Sequence, residues 1–500
     1  LRGSILYFFL FMSYGCVAPF MPLIWRSKGL SEHQVGMLGA IRPVASFFVT
    51  PVLCAFADRH GIQQQVLYVA LLLYTITRPS VLIAGTFFAV GVVELSCSVS
   101  LSPVGSLIDA ATRHSFGGDG FGTQRLWGAF GFGFASLLGG YVCDSSGGGY
   151  EGAMDVFLAV MAVTLAASTT VAVGRLSEPT EDGGEKAESS GRLLSDAWAY
   201  HTTPYRTEPY TISLLPLRPC VMGWDDANSQ RRYPLANGSS DDGLAPEIKL
   251  GDMLKAAEKD SEPRAATSSR SSSIPSGQGR SLEDEMLESV GEHVDTEDEK
   301  ERSEKGGVLS LVLIMLANAQ NASFFASVGL SGMGAGVIDT FLFIRLEELG
   351  GSHVLCGLAR LIMCLAEVPF FCLSGSLIRL MGVRGVIALA QLAYLTRFVY
   401  YSVLLDPWWV LPAEVLHGIT FAAMWAAATD YAYEVAPGKS PRRATFQGVV
   451  SGLHWGLGFG LGAMLGGTLY AGLGARRCFL VSAALPSLSL LLLALPETRR

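Results

Sequence analysis

Glu414 and His417 are two ionisable residues inside a stretch of the chain that is otherwise apolar. They lie three residues apart, so a helix would place them on one face. Steps of three and four residues continue that face through Phe421, Trp425 and Thr429. A carboxylate and an imidazole are costly at membrane depth, where such groups are expected to line a polar path rather than contact lipid. The pattern therefore points to transport across a membrane.

An arginine precedes a glutamate in a pattern that occurs twice. Arg397 lies 17 residues before Glu414 (414 − 397), and Arg78 lies 16 before Glu94 (94 − 78). Each arginine falls late in one predicted helix and each glutamate early in the next, antiparallel one, so the two would lie at similar depth and could pair. One interpretation is a structural clamp, because losing one partner of a buried pair strands the other. The other is a pair that opens when substrate or a proton arrives, and the nearby His417, which can titrate near neutral pH, favours it.

Other predicted helices also carry a polar face. Those faces are Arg42, Ser46 and Thr50; Glu94, Ser98, Ser102, Gly105 and Asp109; Arg360, Cys364 and Glu367; and Gln447, Ser451 and His454. Single serines in membrane helices usually bond their own backbone or a neighbour, and His454 alone is more often a packing histidine. Four polar faces together predict a shared aqueous cavity. To this cavity and to proton coupling we assign Arg42, Arg78, Glu94, Glu367, Arg397, Glu414, His417 and Trp425.

The composition is that of a polytopic membrane protein. The chain has 500 residues, 50% hydrophobic and only 16% charged, with a mean hydropathy of +0.37, which is too apolar for an ordinary soluble protein of this length. No Walker-type phosphate loop is present, since Tyr433 stands where the first glycine before Lys439 is required. No nucleophile with a positioned base and no metal-ligand spacing stands out. We therefore expect neither an ATP-driven pump nor an enzyme, and no cofactor or metal.

Apolar runs of about 20 residues predict twelve membrane-spanning helices, six on each side of a polar insert. The predicted spans are 4–25, 34–57, 64–83, 86–111, 122–144, 152–175, 322–346, 353–379, 383–404, 408–434, 442–471 and 474–495. The expected fold is an all-α membrane protein with an N-terminal six-helix bundle over 1–175 and a C-terminal one over 307–500.

The insert, residues 176–306, differs from the rest in charge. It holds 27 acidic and 15 basic residues, leaving 17 of the 44 acidic and 21 of the 36 basic residues for the remainder. Its low apolar content predicts disorder. It is either an unregulated linker between two membrane halves or a regulatory segment with a protein partner. The spans place eleven flanking Arg and Lys residues on its side of the membrane and five on the other, which predicts cytoplasmic termini and a cytoplasmic insert.

The two predicted bundles repeat one another. Gly29, Gly36 and Gly61 recur as Gly350, Gly357 and Gly382, each 321 residues later (350 − 29, 357 − 36, 382 − 61). The run GFGFASLLGG from Gly131 recurs as GFGLGAMLGG from Gly458. Together with the repeated Arg/Glu pairs, this is the symmetry of a secondary transporter built from two parallel halves.

The loop after the second span, Cys54-Ala-Phe-Ala-Asp58-Arg59-His-Gly61, resembles the Gly-x-x-x-Asp-Arg-x-Gly signature of the major facilitator superfamily. Cys54 replaces its first glycine, and the second half keeps Gly375 and Gly382, with Arg379 where the aspartate stood. The resemblance implies that Asp58, Arg59 and Arg379 gate the cytoplasmic side, where the family's aspartate meets a helix end in the other half.

Longer segments resemble the superfamily's domain-containing protein 6 group, akin to the macrophage MHC-receptor-2 homologues, and more distantly the bacterial nucleoside and oligosaccharide proton symporters. They are YGCVAPFMPLIWRSKGLSEHQVGMLGAIRP, GTQRLWGAFGFG, EVLHGITFAAMWAAATDYAYEVAP and ATFQGVVSGLHWGLGFGLGAMLGG. Glu367, Arg397, Glu414 and His417 are also similar in placement to the proton-coupling residues of lactose-permease-like symporters, although here the glutamate precedes the histidine.

These observations predict a secondary transporter in which a small polar solute crosses by alternating access, with proton-coupled symport. The alternative is a permease-shaped receptor or scaffold that binds without transporting, with the insert as its partner-binding part. We expect a small-molecule solute and protons as ligands, the lipid bilayer as environment, and no nucleic acid. The plasma membrane and an endomembrane are both open as the location.

Overall fold

The structure is a computed structural model that describes residues 2–169, 319–435 and 447–494, with the side chains of 2–3 and 113–125 left out. The predicted insert 176–306, and with it the proposed partner-binding segment, lies outside the described residues.

Ten described helices are long and apolar enough to cross a membrane. They are α1 Ser4–Ser27, α2 Glu32–His60, α3 Gln63–Ile83, α4 Phe87–Thr112, α5 Leu126–Ser145, α6 Glu151–Ser168, α7 Ala319–Glu348, α8 His353–Val403, α9 Pro407–Glu434 and α10 Gln447–Leu493. Each begins within a few residues of a predicted span. The expectation of an all-helical membrane fold is confirmed for the described ranges.

Two of these helices are each long enough for two crossings. α8 has 51 residues and α10 has 47, against the roughly 20 that a span needs. Each is broken at a glycine in the left-handed region, Gly382 with φ 71° and Gly474 with φ 73°. A residue with a Cβ is strained at such φ values, so the glycines allow two helices to join without a loop. The breaks support twelve segments, a count that stays a prediction.

The repeat seen in the sequence has a structural counterpart. Gly29 and Gly350 have φ values of 77° and 80°, and Gly61 and Gly382 have 63° and 71°. Equivalent turns in the two halves therefore use the same backbone conformation.

Alternation of the helices brings five short loops to one end of the bundle: 28–31, 84–86, 146–150, 349–352 and 404–406. Contacts in and beside these loops agree with this placement. Lys28 Nζ lies 2.7 Å from the carbonyl of Leu82, and Arg345 Nη2 lies 3.1 Å from that of Leu404. We call this the Arg26 end, and the opposite end, which carries the 61–62 turn, the Asp58 end.

The halves pack closely through glycines near the Arg26 end. A Cβ on Gly36 of α2 would lie 2.9 Å from the Cα of Gly467 in α10, and one on Gly357 of α8 would lie 2.8 Å from the Cα of Leu137 in α5. Only glycine lets the backbones approach so closely, as small residues do in membrane helix pairs. Gly36 also approaches the carbonyl oxygen of Ala463 and Gly357 that of Ser136, and these two neighbours are 327 residues apart (463 − 136), so the helix pairs α2–α10 and α8–α5 are equivalent under the repeat.

α9 is irregular where the sequence predicts a continuous helical face. It starts with a 3₁₀ turn over Pro407–Trp409, continues as an α-helix over Val410–Glu414, and has a π-helical segment over Gly418–Ala423. A π-helical turn adds a residue to the turn and shifts the side chains after it. The predicted face that runs from Glu414 to Phe421 is therefore interrupted, because Glu414 ends the α-helical part and Phe421 lies in the π-helical segment.

Candidate functional site

A cavity of about 520 Å³ lies between helices of the two halves. Its wall comes from α1 to α5 on one side and from α7, α8 and α10 on the other. Five charged side chains line it: Arg42, Arg78, Glu94, Asp339 and Arg360. Much of the remaining wall is aromatic and includes Trp25, Phe47, Tyr74, Phe132, Trp455 and Phe459. Volumes of about 300–1,000 Å³ with an apolar wall and a few convergent polar groups are typical of small-molecule sites.

The predicted pairing of Arg78 with Glu94 is confirmed. Nη1 and Nη2 of Arg78 lie 3.0 Å and 3.1 Å from the two carboxylate oxygens of Glu94. The indole of Trp25 also donates to Glu94, at 3.2 Å. Both side chains are buried, at 5% and 8% exposed, yet both contribute to the cavity wall. The pair is therefore a bidentate ion pair at the edge of the hollow.

A second ion pair on the wall joins Arg360 of α8 to Asp339 of α7, with Nη1 3.0 Å from Oδ1. Arg360 belongs to one of the polar faces predicted from the sequence, whereas Asp339 belongs to none of them. The signal was available, because Asp339 falls late in one helix and Arg360 early in the next, as in the other two pairs. Arg360 also lies over the ring of Phe343, 5.5 Å from its centroid.

Arg42 of α2 is the exposed cation of the cavity. Among the residues whose side chains the structure describes, it has no hydrogen bond or ion-pair partner. Ser46, one turn further along α2, and Ser98 of α4 also line the cavity. Of the predicted face Arg42, Ser46 and Thr50, the first two therefore line the hollow, whereas Thr50 is buried and donates to the carbonyl of Ser102 at 3.1 Å. The guanidinium of Arg42 is open to a ligand that enters.

The second predicted pair, Arg397 with Glu414, is also confirmed. Arg397 Nη2 lies 2.7 Å from Glu414 Oε2, with the side chains 1% and 0% exposed. Tyr401 bridges the pair: its hydroxyl accepts from Arg397 Nε at 2.8 Å and donates to Glu414 Oε1 at 2.5 Å. Thr420 accepts from Arg397 Nη1 at 3.1 Å. Neither Tyr401 nor Thr420 stood out in the sequence, since no spacing rule marks them.

His417 continues this network toward Glu367. Its Nδ1 lies 3.3 Å from Arg397 Nη1, and its Nε2 lies 3.3 Å from Glu367 Oε1. A guanidinium can only donate, so the geometry assigns an unprotonated Nδ1 and a proton on Nε2 that points to Glu367. Glu367 and His417 are each 18% exposed, unlike Glu414.

We call the bonded set of Arg397, Tyr401, Glu414, Thr420, His417 and Glu367 the C-terminal network. This network does not line the described cavity. Of the predicted residues, Arg42, Arg78 and Glu94 are on its wall, whereas Arg397, Glu414, His417, Glu367 and Trp425 are not. A run of rings joins the two regions. His417 stacks on Phe421 at 5.7 Å, and Phe421 and Trp425 contact the cavity-lining Trp455 at 5.5 Å and 6.2 Å. The rings therefore form a continuous line of contacts from His417 to the cavity wall.

His454 lies beside these rings. It is buried, its Nδ1 is 3.2 Å from the carbonyl of Val328, and its ring packs against Trp425 and Trp455. These contacts agree with a packing histidine.

At the Arg26 end a clamp of polar contacts joins the two halves. Arg26 Nη2 lies 2.8 Å from Glu348 Oε1, and Tyr470 donates to the other oxygen of Glu348 at 2.8 Å. Asp144 of α5 accepts from the backbone N–H of His353 at 3.0 Å and of Val354 at 2.9 Å. A carboxylate from one half therefore caps the first turn of α8 in the other half.

The His353 ring takes part in this clamp too. Its Nδ1 lies 2.7 Å from Asp144 and its Nε2 lies 3.2 Å from the hydroxyl of Tyr150. Burial, helped by the nearby Glu347, raises the pKa of Tyr150 above its ordinary value, so the phenol keeps its proton.

The residues assigned to gating lie at the Asp58 end. Asp58 accepts from Gln63 Nε2 at 3.0 Å. Arg59 is exposed, and so is Arg379, which donates to Ser376 at 2.9 Å. Their role in gating stays a prediction.

The profile of the MFS_1 like family matches residues 1–481. The chain belongs to the MFS_1 like family. The resemblance to the major facilitator superfamily and its domain-containing protein 6 group is thereby confirmed, and with it an integral membrane protein.

Named relatives of this MFS_1 like chain match it over part of their length. The major facilitator superfamily domain-containing protein 6-like of Danio rerio is 29% identical over 141 residues, which is 28% of this chain and 26% of that protein. The maltose permease of Geobacillus stearothermophilus is 27% identical over 141 residues, 28% of this chain and 36% of the permease. The matches thus cover about a quarter to a third of these relatives.

Solved structures agree over nearly the whole chain. A point mutant of the nucleoside transporter NupG has a TM-score of 0.65 at 15% identity, covering 99% of this chain and 98% of that one. A D-xylose-proton symporter has a TM-score of 0.52 at 12% identity, covering 100% and 97%. At such identities the likeness shows that this MFS_1 like chain shares their fold.

Proposed function

We propose that the protein is a secondary active transporter that moves a small polar solute by alternating access, coupled to protons in symport. The observation that carries the proposal is the cavity between the two halves, with charged pairs on its wall. A hollow of this kind at the interface of two repeats is where secondary transporters bind their substrates.

Alternating access requires contacts that close one end and can be released. The clamp of Arg26 with Glu348 and of Asp144 with His353 joins the halves through polar groups near the surface. Each contact is individually weak where water can replace it. The clamp therefore suits an end that opens and closes, and the positive-inside bias predicts that this is the non-cytoplasmic end, with both termini in the cytoplasm.

Proton coupling is assigned to the C-terminal network. A proton arriving at Glu414 would neutralise the partner of Arg397 and weaken their ion pair, leaving the guanidinium with His417 and Thr420 as its remaining partners on α9. Glu367 is the more exposed carboxylate and offers an entry point through His417. Protonation drives transport only if the two conformations differ in proton affinity. The rings from His417 to Trp455 provide a path by which such a change alters the cavity.

The test starts from a nucleoside, for which uridine is the probe, and from D-xylose and maltose, the solute classes in the names of the similar proteins, screened by thermal shift on purified protein. A true ligand stabilises the folded form by mass action. The ligands found are then offered to proteoliposomes under an imposed pH gradient. Glu414→Gln should lose gradient-driven accumulation and keep counterflow exchange. Unchanged accumulation would remove Glu414 from the coupling mechanism.

Glu434→Gln is the matched control, because Glu434 is an exposed glutamate at the end of the same helix. It should accumulate solute as the wild type does. If ligands bind but neither protein shows flux, the receptor or scaffold alternative is the better description.

A further inference from the structure

We infer that the solute is an organic anion with a single negative charge, held in the cavity by Arg42. The inference rests on the proposed function for its transport step, but the binding site it describes stands on the charges and shape of the cavity.

The charges on the cavity wall do not balance. Three cations, Arg42, Arg78 and Arg360, face two anions, Glu94 and Asp339. Glu94 is committed to Arg78 and Asp339 to Arg360 by bonds of 3.0 Å. Among the described lining residues, one positive charge is therefore left over, and it is that of Arg42.

An uncompensated guanidinium inside a membrane protein is costly. The cost is offset when a ligand brings the missing negative charge. A guanidinium binds a carboxylate or a phosphate through two parallel hydrogen bonds, which gives direction as well as attraction. A single leftover cation favours a monoanion over a dianion, because the second negative charge would have no partner.

The remaining wall indicates an organic body on the anion. Tyr74, Trp25 and Phe47 line the hollow from the Arg42 side, and Trp455 and Phe459 from the other half. Flat aromatic walls bury apolar surface and stack on rings. A volume of about 520 Å³ exceeds what an inorganic anion needs. Ser98 and Ser451, also on the wall, can hydrogen-bond polar substituents.

The experiment compares acids with their neutral amides on the full chain in lipid nanodiscs. Benzoate is paired with benzamide and nicotinate with nicotinamide, so that each pair differs in charge and little in shape. Dissociation constants are measured by thermal shift and by calorimetry. Each acid should bind at least about tenfold more tightly than its amide, since a charge-assisted bidentate bond is lost. Phthalate, a dianion, should bind more weakly than benzoate.

Arg42→Gln should remove the preference for the acid, and Arg42→Lys should keep part of it. Arg476→Gln is the control, an exposed arginine at the Arg26 end that does not line the cavity, and should leave the preference unchanged. If Arg42→Gln does not fold, the ratio of the dissociation constants of amide and acid in the wild type and in Arg42→Lys still tests the inference.

Four results overturn the inference: amides binding as tightly as acids, a preference that survives Arg42→Gln, no binding of any monoanion at millimolar concentration, and chloride competing as strongly as benzoate. The last would identify a site for inorganic anions. Uptake separates this inference from the proposed function. If monoanions bind but no flux is seen, the anion site is supported and the transport function is contradicted. If uridine or D-xylose is taken up independently of Arg42, the transport function is supported and the anion site is contradicted.

Discussion

Arg397 and Glu414 are joined twice, directly at 2.7 Å and again through the hydroxyl of Tyr401. Neither side chain is more than 1% exposed. Because both side chains are buried from solvent, each charge depends on the other.

Glu414→Gln should lower the free energy of unfolding by about 3–5 kcal/mol, the cost of stranding one charge of a buried pair. The double variant Arg397→Gln/Glu414→Gln should cost less than the two single variants added together. Unfolding of the purified protein in mild detergent measures both. Strict additivity would show that the two charges are not coupled.

Glu94→Gln should cost less than Glu414→Gln, about 1–3 kcal/mol, although the chemistry of the two substitutions is the same. The reason is that Arg78 lies on the cavity wall, where water can solvate it after Glu94 is neutralised. The same unfolding measurement compares them. An equal or larger loss at Glu94 would mean that the hollow does not hydrate this pair.

Gly36→Ile should open the Arg26 end. A Cβ at this position would lie 2.5 Å from the carbonyl oxygen of Ala463 and 2.9 Å from the Cα of Gly467, so α2 and α10 would have to separate. Spin labels at Ser31 and Arg477, one in each half, report the separation. Gly105→Ile is the control, since a Cβ there meets nothing within 4 Å. An unchanged distance in Gly36→Ile would contradict close packing at this interface.

Asp144→Asn should weaken the clamp from the other pair of helices, α5 and α8. The amide keeps its shape but has one acceptor oxygen in place of two, so it cannot satisfy both the His353 and the Val354 N–H groups together with the His353 ring. The same labels should show a larger population of the open form. Asp155→Asn, an exposed aspartate on α6, should not change it. Equal populations in both variants would show that the Asp144 contacts do not hold this end closed.

Patterns with a fixed period were predictable from the sequence. Helical spans follow from apolar run length, and Arg78–Glu94 and Arg397–Glu414 follow from the fact that residues flanking a short turn between antiparallel helices return to the same depth. Of the three glycine pairs at 321-residue spacing, Gly29/Gly350 and Gly61/Gly382 share the left-handed conformation. The Asp339–Arg360 pair follows the same rule, so it could also have been predicted from the sequence.

Other features depend on side-chain direction and on local helix geometry, which no period encodes. Tyr401 and Trp25 reach their carboxylates across helices from positions that look like ordinary apolar ones. The π-helical segment after Gly418 brings Thr420 to Arg397 and turns Phe421 toward Trp455. The sequence assigned Glu414, His417 and Trp425 to the cavity, whereas none of the three is among the residues that line the described cavity.

The cap that Asp144 supplies to α8 links separation of the halves to hydrogen exchange. When the Arg26 end opens, the amides of His353 and Val354 lose their acceptors, whereas that of Leu355 keeps the hydroxyl of Ser352 at 3.2 Å. The rate of deuterium uptake at the first two residues of this helix would then report how often this end opens in native membranes, with no label attached to the protein.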